Sequence, residues 1–123
     1  MKRIALLLAI GLIGLTGCKR EITFSPGSSG TVVNQTNVSV NKNRGDIVVF
    51  TNNDDPVHRI NVFPAPGPAP ATSVPTTIYP PNAGAGRPSS FTWTIPATAT
   101  PPAAFNWVCV THTGEFGTIT VNP

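Results

Sequence analysis

Methionine is all but missing from this chain of 123 residues: the only one is Met1. Histidine and cysteine occur twice each, as His58 and His112 and as Cys18 and Cys109. The C-x-x-C-H, P-loop and G-x-G-x-x-G patterns are absent, which removes covalent haem attachment and the common phosphate-cradling sites. No internal repeat and no convincing helical periodicity follow the first apolar stretch. That stretch, residues 4–15, is too short to cross a bilayer's hydrocarbon core. The length suits one small domain with a modest core and leaves no room for a second.

What is present begins at the N-terminus. Lys2 and Arg3 precede the apolar run, and Leu15-Thr16-Gly17-Cys18 closes it with small residues and a cysteine. The order is that of a secretory signal. The closing tetrapeptide resembles the lipobox of bacterial lipoproteins, whose cysteine is acylated and becomes the new N-terminus. The resemblance implies a signal peptide over residues 1–17, lipidation at Cys18, a lipidated N-terminus and linker over 18–30, and a folded domain over 31–123. It also implies an extracytoplasmic protein held to the periplasmic face of a membrane or to the cell surface. Lys19 stands where an aspartate often retains such proteins in an inner membrane, so an outer-membrane anchor is open. Cys18 is then taken by lipid, and Cys109 has no partner for a disulfide.

Processing changes the charge balance. The formal net charge is +3, but within residues 31–123 Lys42, Arg44, Arg59 and Arg87 are matched by Asp46, Asp54, Asp55 and Glu115. The folded part is neutral by formal count, and the basic isoelectric point gives no argument for nucleic-acid binding. From Ile60 to Gly114 the only Lys, Arg, Asp or Glu is Arg87.

Strand signals fill the domain. Val38 and Val40 alternate with polar residues, residues 41–46 are rich in turn formers, and Ile47-Val48-Val49-Phe50 reads as an interior strand. After the breaker Asn52-Asn53-Asp54-Asp55-Pro56, a strand resumes with His58, Ile60 and Val62 on one face. Residues 64–88 hold eight of the fourteen prolines; they exclude an interior strand or a helix and favour an extended surface connection. Phe91, Trp93 and Ile95 alternate, as do Phe105, Trp107 and Cys109, so Cys109 shares the core side with two aromatics. Residues 110–116 form a compact loop, and 117–122 a closing strand with Ile119 and Val121 inward. Short strands separated by turn signals predict an all-β, Greek-key β-sandwich.

One thiolate and two imidazoles in a near-trigonal set suit both Cu(I) and Cu(II), so little moves when an electron arrives or leaves. The chain supplies one cysteine and two histidines for such a site with none to spare. Cys109 and His112 bracket one tight loop, while His58 comes from a separate strand just after a polar turn.

The segments around these residues resemble the cupredoxins, the blue (type 1) copper family that includes plastocyanin, pseudoazurin and amicyanin. Gly45-Asp46-Ile47-Val48-Val49-Phe50-Thr51-Asn52-Asn53 resembles the strand and Asn-Asn step before the first histidine ligand. Phe105-Asn106-Trp107-Val108-Cys109-Val110-Thr111-His112 resembles the aromatic-x-aromatic-x-Cys-x-x-His run, and Gly117-Thr118-Ile119-Thr120-Val121 the last strand. The resemblance covers residues 36–122 apart from the proline-rich insert. It implies one type 1 copper held by His58, Cys109 and His112, with His112 at an apolar surface as the exit for electrons. It further implies a monomeric, non-enzymatic carrier that docks redox partner proteins, reaches the membrane through its lipid anchor and binds no nucleic acid.

The departure from the family is the axial ligand. No methionine follows His112; three residues on, where the short-loop members place that ligand, stands Glu115. Coordination by this hard carboxylate favours Cu(II) and lowers the potential. The alternative is Glu115 in solvent, with Phe116 covering a three-coordinate metal. Other functions stay open at this point: a copper carrier or buffer serving an extracytoplasmic oxidase, a metal-free cupredoxin-like structural lipoprotein, and a zinc site.

Overall fold

The computed structural model describes residues 17–123, in which nine strands and no helix form two mixed sheets. The first sheet contains β1 (Lys19–Gly27), β2 (Gly30–Val33), β4 (Ile47–Asn52) and β7 (Ser90–Thr94), in the order β2-β1-β4-β7. The second contains β3 (Asn37–Asn41), β5 (His58–Pro64), β6 (Thr76–Ile78), β8 (Ala103–Cys109) and β9 (Phe116–Asn122), in the order β3-β9-β8-β5-β6. The chain crosses repeatedly between the sheets, as a Greek-key sandwich requires.

The alternating apolar residues meet between the layers. Val38 and Val40 from β3, Val48 and Phe50 from β4, Phe105, Trp107 and Cys109 from β8, and Ile119 and Val121 from β9 are all buried. Trp107 lies at the centre, edge-on to Phe24 and Phe50 with ring centroids 5.9 and 5.6 Å away. Its indole Nε1–H donates to the Thr36 carbonyl at 2.9 Å. That carbonyl also accepts from the Thr118 N–H, and it lies where a Cβ on Gly117 would stand. A side chain at position 117 would therefore push β9 off the Trp107 anchor.

Two expectations need correction. Residues 18–30 are not a linker: β1 pairs parallel with β4 from Lys19↔Ile47 to Phe24↔Asn52 and antiparallel with β2. The sequence disguised this strand because its inward residues are only two, Ile22 and Phe24, both fully buried. Cys18, just before β1, is tied in as well: its N–H donates at 2.7 Å to the buried Asp46 carboxylate. Burial pushes the Asp46 pKa up, but the N–H groups of Asn41 and Cys18 and the Arg44 guanidinium outweigh it and hold the carboxyl below its ordinary value. The signal segment expected over 1–17 lies outside the described residues except for Gly17.

The proline-rich insert is likewise more than a connection. It contributes β6, an edge strand on β5 with the register His58↔Ile78, and Ile78 is fully buried. Proline still explains its brevity: β6 occupies three residues between Pro75 and Pro80, at an edge where one side needs no partner.

Because β1 is part of the core, Phe24→Ala should lower unfolding stability by about 3–5 kcal/mol. Urea denaturation of the copper-free protein measures this; a residue in a solvated linker would change it by less than about 0.5 kcal/mol.

Candidate metal centre

The register of two neighbouring strands sets the site. β5 and β8 run antiparallel with Ile60 opposite Cys109, and His58 shares the inward face of β5 with Ile60. Cys109 closes β8, and the chain turns at once: the Cys109 N–H donates to the Glu115 carbonyl at 2.8 Å, which folds 109–115 into a closed loop. Gly114 makes the turn possible with a φ of 92°, a left-handed backbone that other residues adopt at a cost. The loop is tied to the strand bearing His58 by the Val110 N–H, which donates to the Arg59 carbonyl at 2.9 Å.

These connections bring His58, Cys109, His112 and Glu115 together, with one donor atom from each lying within 4.8 Å of the others. Cys109 Sγ lies 3.7 Å from His58 Nδ1 and 3.4 Å from His112 Nδ1. Glu115 Oε1 lies 2.9 Å from His58 Nδ1 and 3.6 Å from His112 Nδ1. Both imidazoles therefore turn the same nitrogen towards the sulfur. His58 is fully buried, and the His112 side chain is one-third exposed. The Glu115 carboxylate points into the cluster with a side-chain exposure of 10%. Of the two placements open at this position, the one in solvent is excluded, and Phe116 is 61% exposed.

Electrostatics follow from this packing. Burial alone pushes the Cys109 thiol up, but the hydrogen bonds with His58, Thr111 and His112 prevail and bring it from 9.0 to about 6. Thr111 contributes its hydroxyl 3.2 Å from the sulfur. Burial likewise lowers the His58 pKa, while Cys109 and Glu115 more than offset it and leave it raised. Without metal the packing thus favours the thiolate of Cys109 and the protonated form of His58.

Phe24 and Asp54 carry no site signal in the sequence, and Asn52 shows there only as part of the Asn-Asn step. Phe24 stacks on His58 with ring centroids 4.5 Å apart, a contact that no sequence pattern announces once β1 is taken for a linker. Asn52, fully buried, donates through Nδ2 to the Pro56 carbonyl at 2.9 Å and the Ile78 carbonyl at 3.3 Å, fixing the turn before His58. Asp54, four residues before His58 and taken for a turn residue, is buried with a carboxylate oxygen 3.6 Å from His58 Nε2. Turn composition does not separate a solvated aspartate from one folded inward.

The donor set fits a copper ion on its own chemistry. A soft sulfur and two imidazole nitrogens converge with a carboxylate oxygen, and the sulfur is already shifted toward the thiolate that ligation requires. His58, Cys109 and His112 could hold the ion, and Glu115 stands in reach of a fourth position.

The ultraviolet absorbance of the thiolate in the copper-free protein should titrate with a midpoint of about 6, and Cys109→Ser should abolish the transition. The folded value lies below the unfolded one. Ionisation of Cys109 therefore stabilises the fold fully above pH 9.0, and that contribution is lost as pH falls through about 6.

No protein-family model and no curated protein matches the chain. Solved structures do. The purple cupredoxin from Nitrosopumilus maritimus superposes with a TM-score of 0.58 at 17% identity, over 84% of this chain and 99% of that one. Dithionite-reduced auracyanin from the photosynthetic bacterium Roseiflexus castenholzii gives 0.55 at 20% identity, over 88% and 99%. The McoA multicopper oxidase from Aquifex aeolicus gives 0.53 at 12% identity, and there the match spans 87% of this chain and 30% of that one. The chain has the cupredoxin fold.

Proposed function

We propose that this protein is a one-electron carrier in which His58, Cys109 and His112 hold a single copper ion, with Glu115 as a fourth, oxygen ligand. The observation that carries the reading is the convergence of two imidazole Nδ1 atoms and one carboxylate on the buried sulfur of Cys109, in the cupredoxin fold. Copper supplies the exchange of one electron between Cu(I) and Cu(II). The chain supplies rigidity: His58 is clamped by Phe24 and the Asn52 turn, and Cys109 by the closed loop, so the donors need not rearrange when the charge changes. His112, partly exposed, offers the path to the surface. Val57, Val110 and Phe116 are exposed in the segments around the site, which supports docking of a redox partner through apolar contact. Association rates should then vary little with ionic strength.

The membrane attachment belongs to the same proposal. Cys18, exposed and one residue before β1, would carry the lipid after export. β1 runs from Lys19 beside Ile47 to Phe24 beside Asn52, and Phe24 stacks on His58. Six residues of strand, roughly 20 Å, therefore separate the anchor from the metal end. The redox face would look away from the bilayer, towards a partner.

Titrating Cu(II) into the copper-free domain should produce an intense visible band that saturates at one copper per chain and is lost in Cys109→Ser. A folded, reduced domain that gives no band would contradict the reading, and tight zinc binding without redox activity would replace it with a structural site. Glu115→Gln should raise the potential, since it removes an anionic oxygen that favours Cu(II). Cys18→Ser should release the protein from membranes without changing the visible band.

A further inference from the structure

His58 Nε2 is the one buried side-chain polar atom without a hydrogen-bond partner among the described residues. Its ring is fully buried, with Nδ1 towards Cys109 and Glu115 and Nε2 on the opposite edge. A neutral imidazole carries a single N–H, so an Nδ1 that gives its lone pair to a metal leaves the proton on Nε2. That proton needs an acceptor, because no water reaches it.

The nearest acceptor is built in. Asp54 Oδ2 lies 3.6 Å from Nε2, on a side chain 7% exposed. The carboxylate is held from both ends: the Thr31 hydroxyl of β2 donates to Oδ2 and the Asp55 N–H donates to Oδ1 at 2.9 Å. The Asp54 N–H donates to Asn52 Oδ1 at 2.8 Å, joining it to the turn that carries His58. A closing shift of roughly half an ångström brings Nε2 and Oδ2 into hydrogen-bond range.

We propose that Asp54 is a positioning residue for the copper site: it accepts the Nε2–H of His58, fixes the tautomer that presents Nδ1, and places a buried negative charge behind the ligand that favours Cu(II). The inference rests on the copper reading and deepens it, since it assigns this protein an outer carboxylate, held by Thr31 across the first sheet, that sets its potential. Carboxylate–histidine–metal relays of this kind govern affinity as well as geometry.

Asp54→Asn keeps the size of the side chain and removes its charge; Thr31→Val leaves Asp54 in place and removes the hydroxyl that holds it. Two readouts decide. In the copper-free protein, NMR of the His58 ring should detect an N–H at Nε2, and Asp54→Asn should speed the exchange of that proton with water by about tenfold or more. In the copper-loaded protein, Asp54→Asn should weaken Cu(II) binding about tenfold or more relative to Cu(I), an upward shift in potential of about 59 mV for each factor of ten. Thr31→Val should give a smaller shift of the same sign. Unchanged exchange and unchanged potential in a folded Asp54→Asn protein would overturn the proposal. A wild-type chain that binds no copper would overturn the reading beneath it, while the metal-free exchange measurement still tests the Asp54 contact alone.

Discussion

The register between β5 and β8 is the constraint on which the site depends. Opposite Ile60, Cys109 lies one pleat from the inward-facing His58. A slip of one residue would send either His58 or Cys109 to the outer face of the sheet, because side chains alternate with a period of two. Several features hold that register at once. Trp107, two residues before Cys109, is locked into the core between Phe24 and Phe50 and tethered through Nε1 to Thr36. Beyond Cys109, the loop closes on itself through Glu115 and on β5 through Val110. On the other flank, β6 pairs Ile78 with His58. The packing of the domain and the geometry of the metal end are therefore one problem with one solution.

Burying this set of groups is costly unless their charges compensate, and the structure distributes the compensation in layers. The Cys109 sulfur is surrounded by Thr111, His58 and His112, which offset its desolvation. His58 is flanked by Glu115 on one edge and Asp54 on the other. Two carboxylates and a thiolate around two imidazoles leave an excess of negative charge in a partly dry site, a field suited to a cation. In the proposed copper site that excess would favour Cu(II) and pull the potential down.

Much of this was legible in the sequence, for identifiable reasons. The inward alternation of Phe105, Trp107 and Cys109, and of Ile119 and Val121, is strong enough to assign strands and faces. The scarcity of cysteine and histidine then left almost no other choice of soft donors. What the sequence concealed depends on contacts between distant segments. β1 has only Ile22 and Phe24 to mark it, within a segment ending in turn formers, so its parallel pairing with β4 was invisible until the partner strand was in place. β6 was hidden by the prolines around it, which limit its length without preventing edge pairing. Glu115 and Asp54 were both readable as ordinary loop carboxylates. Only the fold turns them inward, because it is the closing of the 109–115 loop and the Asn52 turn that removes solvent from their side of the chain.

A copper ion held between Cys109, His58 and His112, as proposed, would carry sulfur and nitrogen in its inner shell. X-ray absorption at the copper edge of the loaded protein tests it most directly. One short copper–sulfur bond and two imidazole nitrogens per copper are expected, with the sulfur contribution lost in Cys109→Ser. A first shell of nitrogen and oxygen alone, unchanged by that substitution, would contradict it.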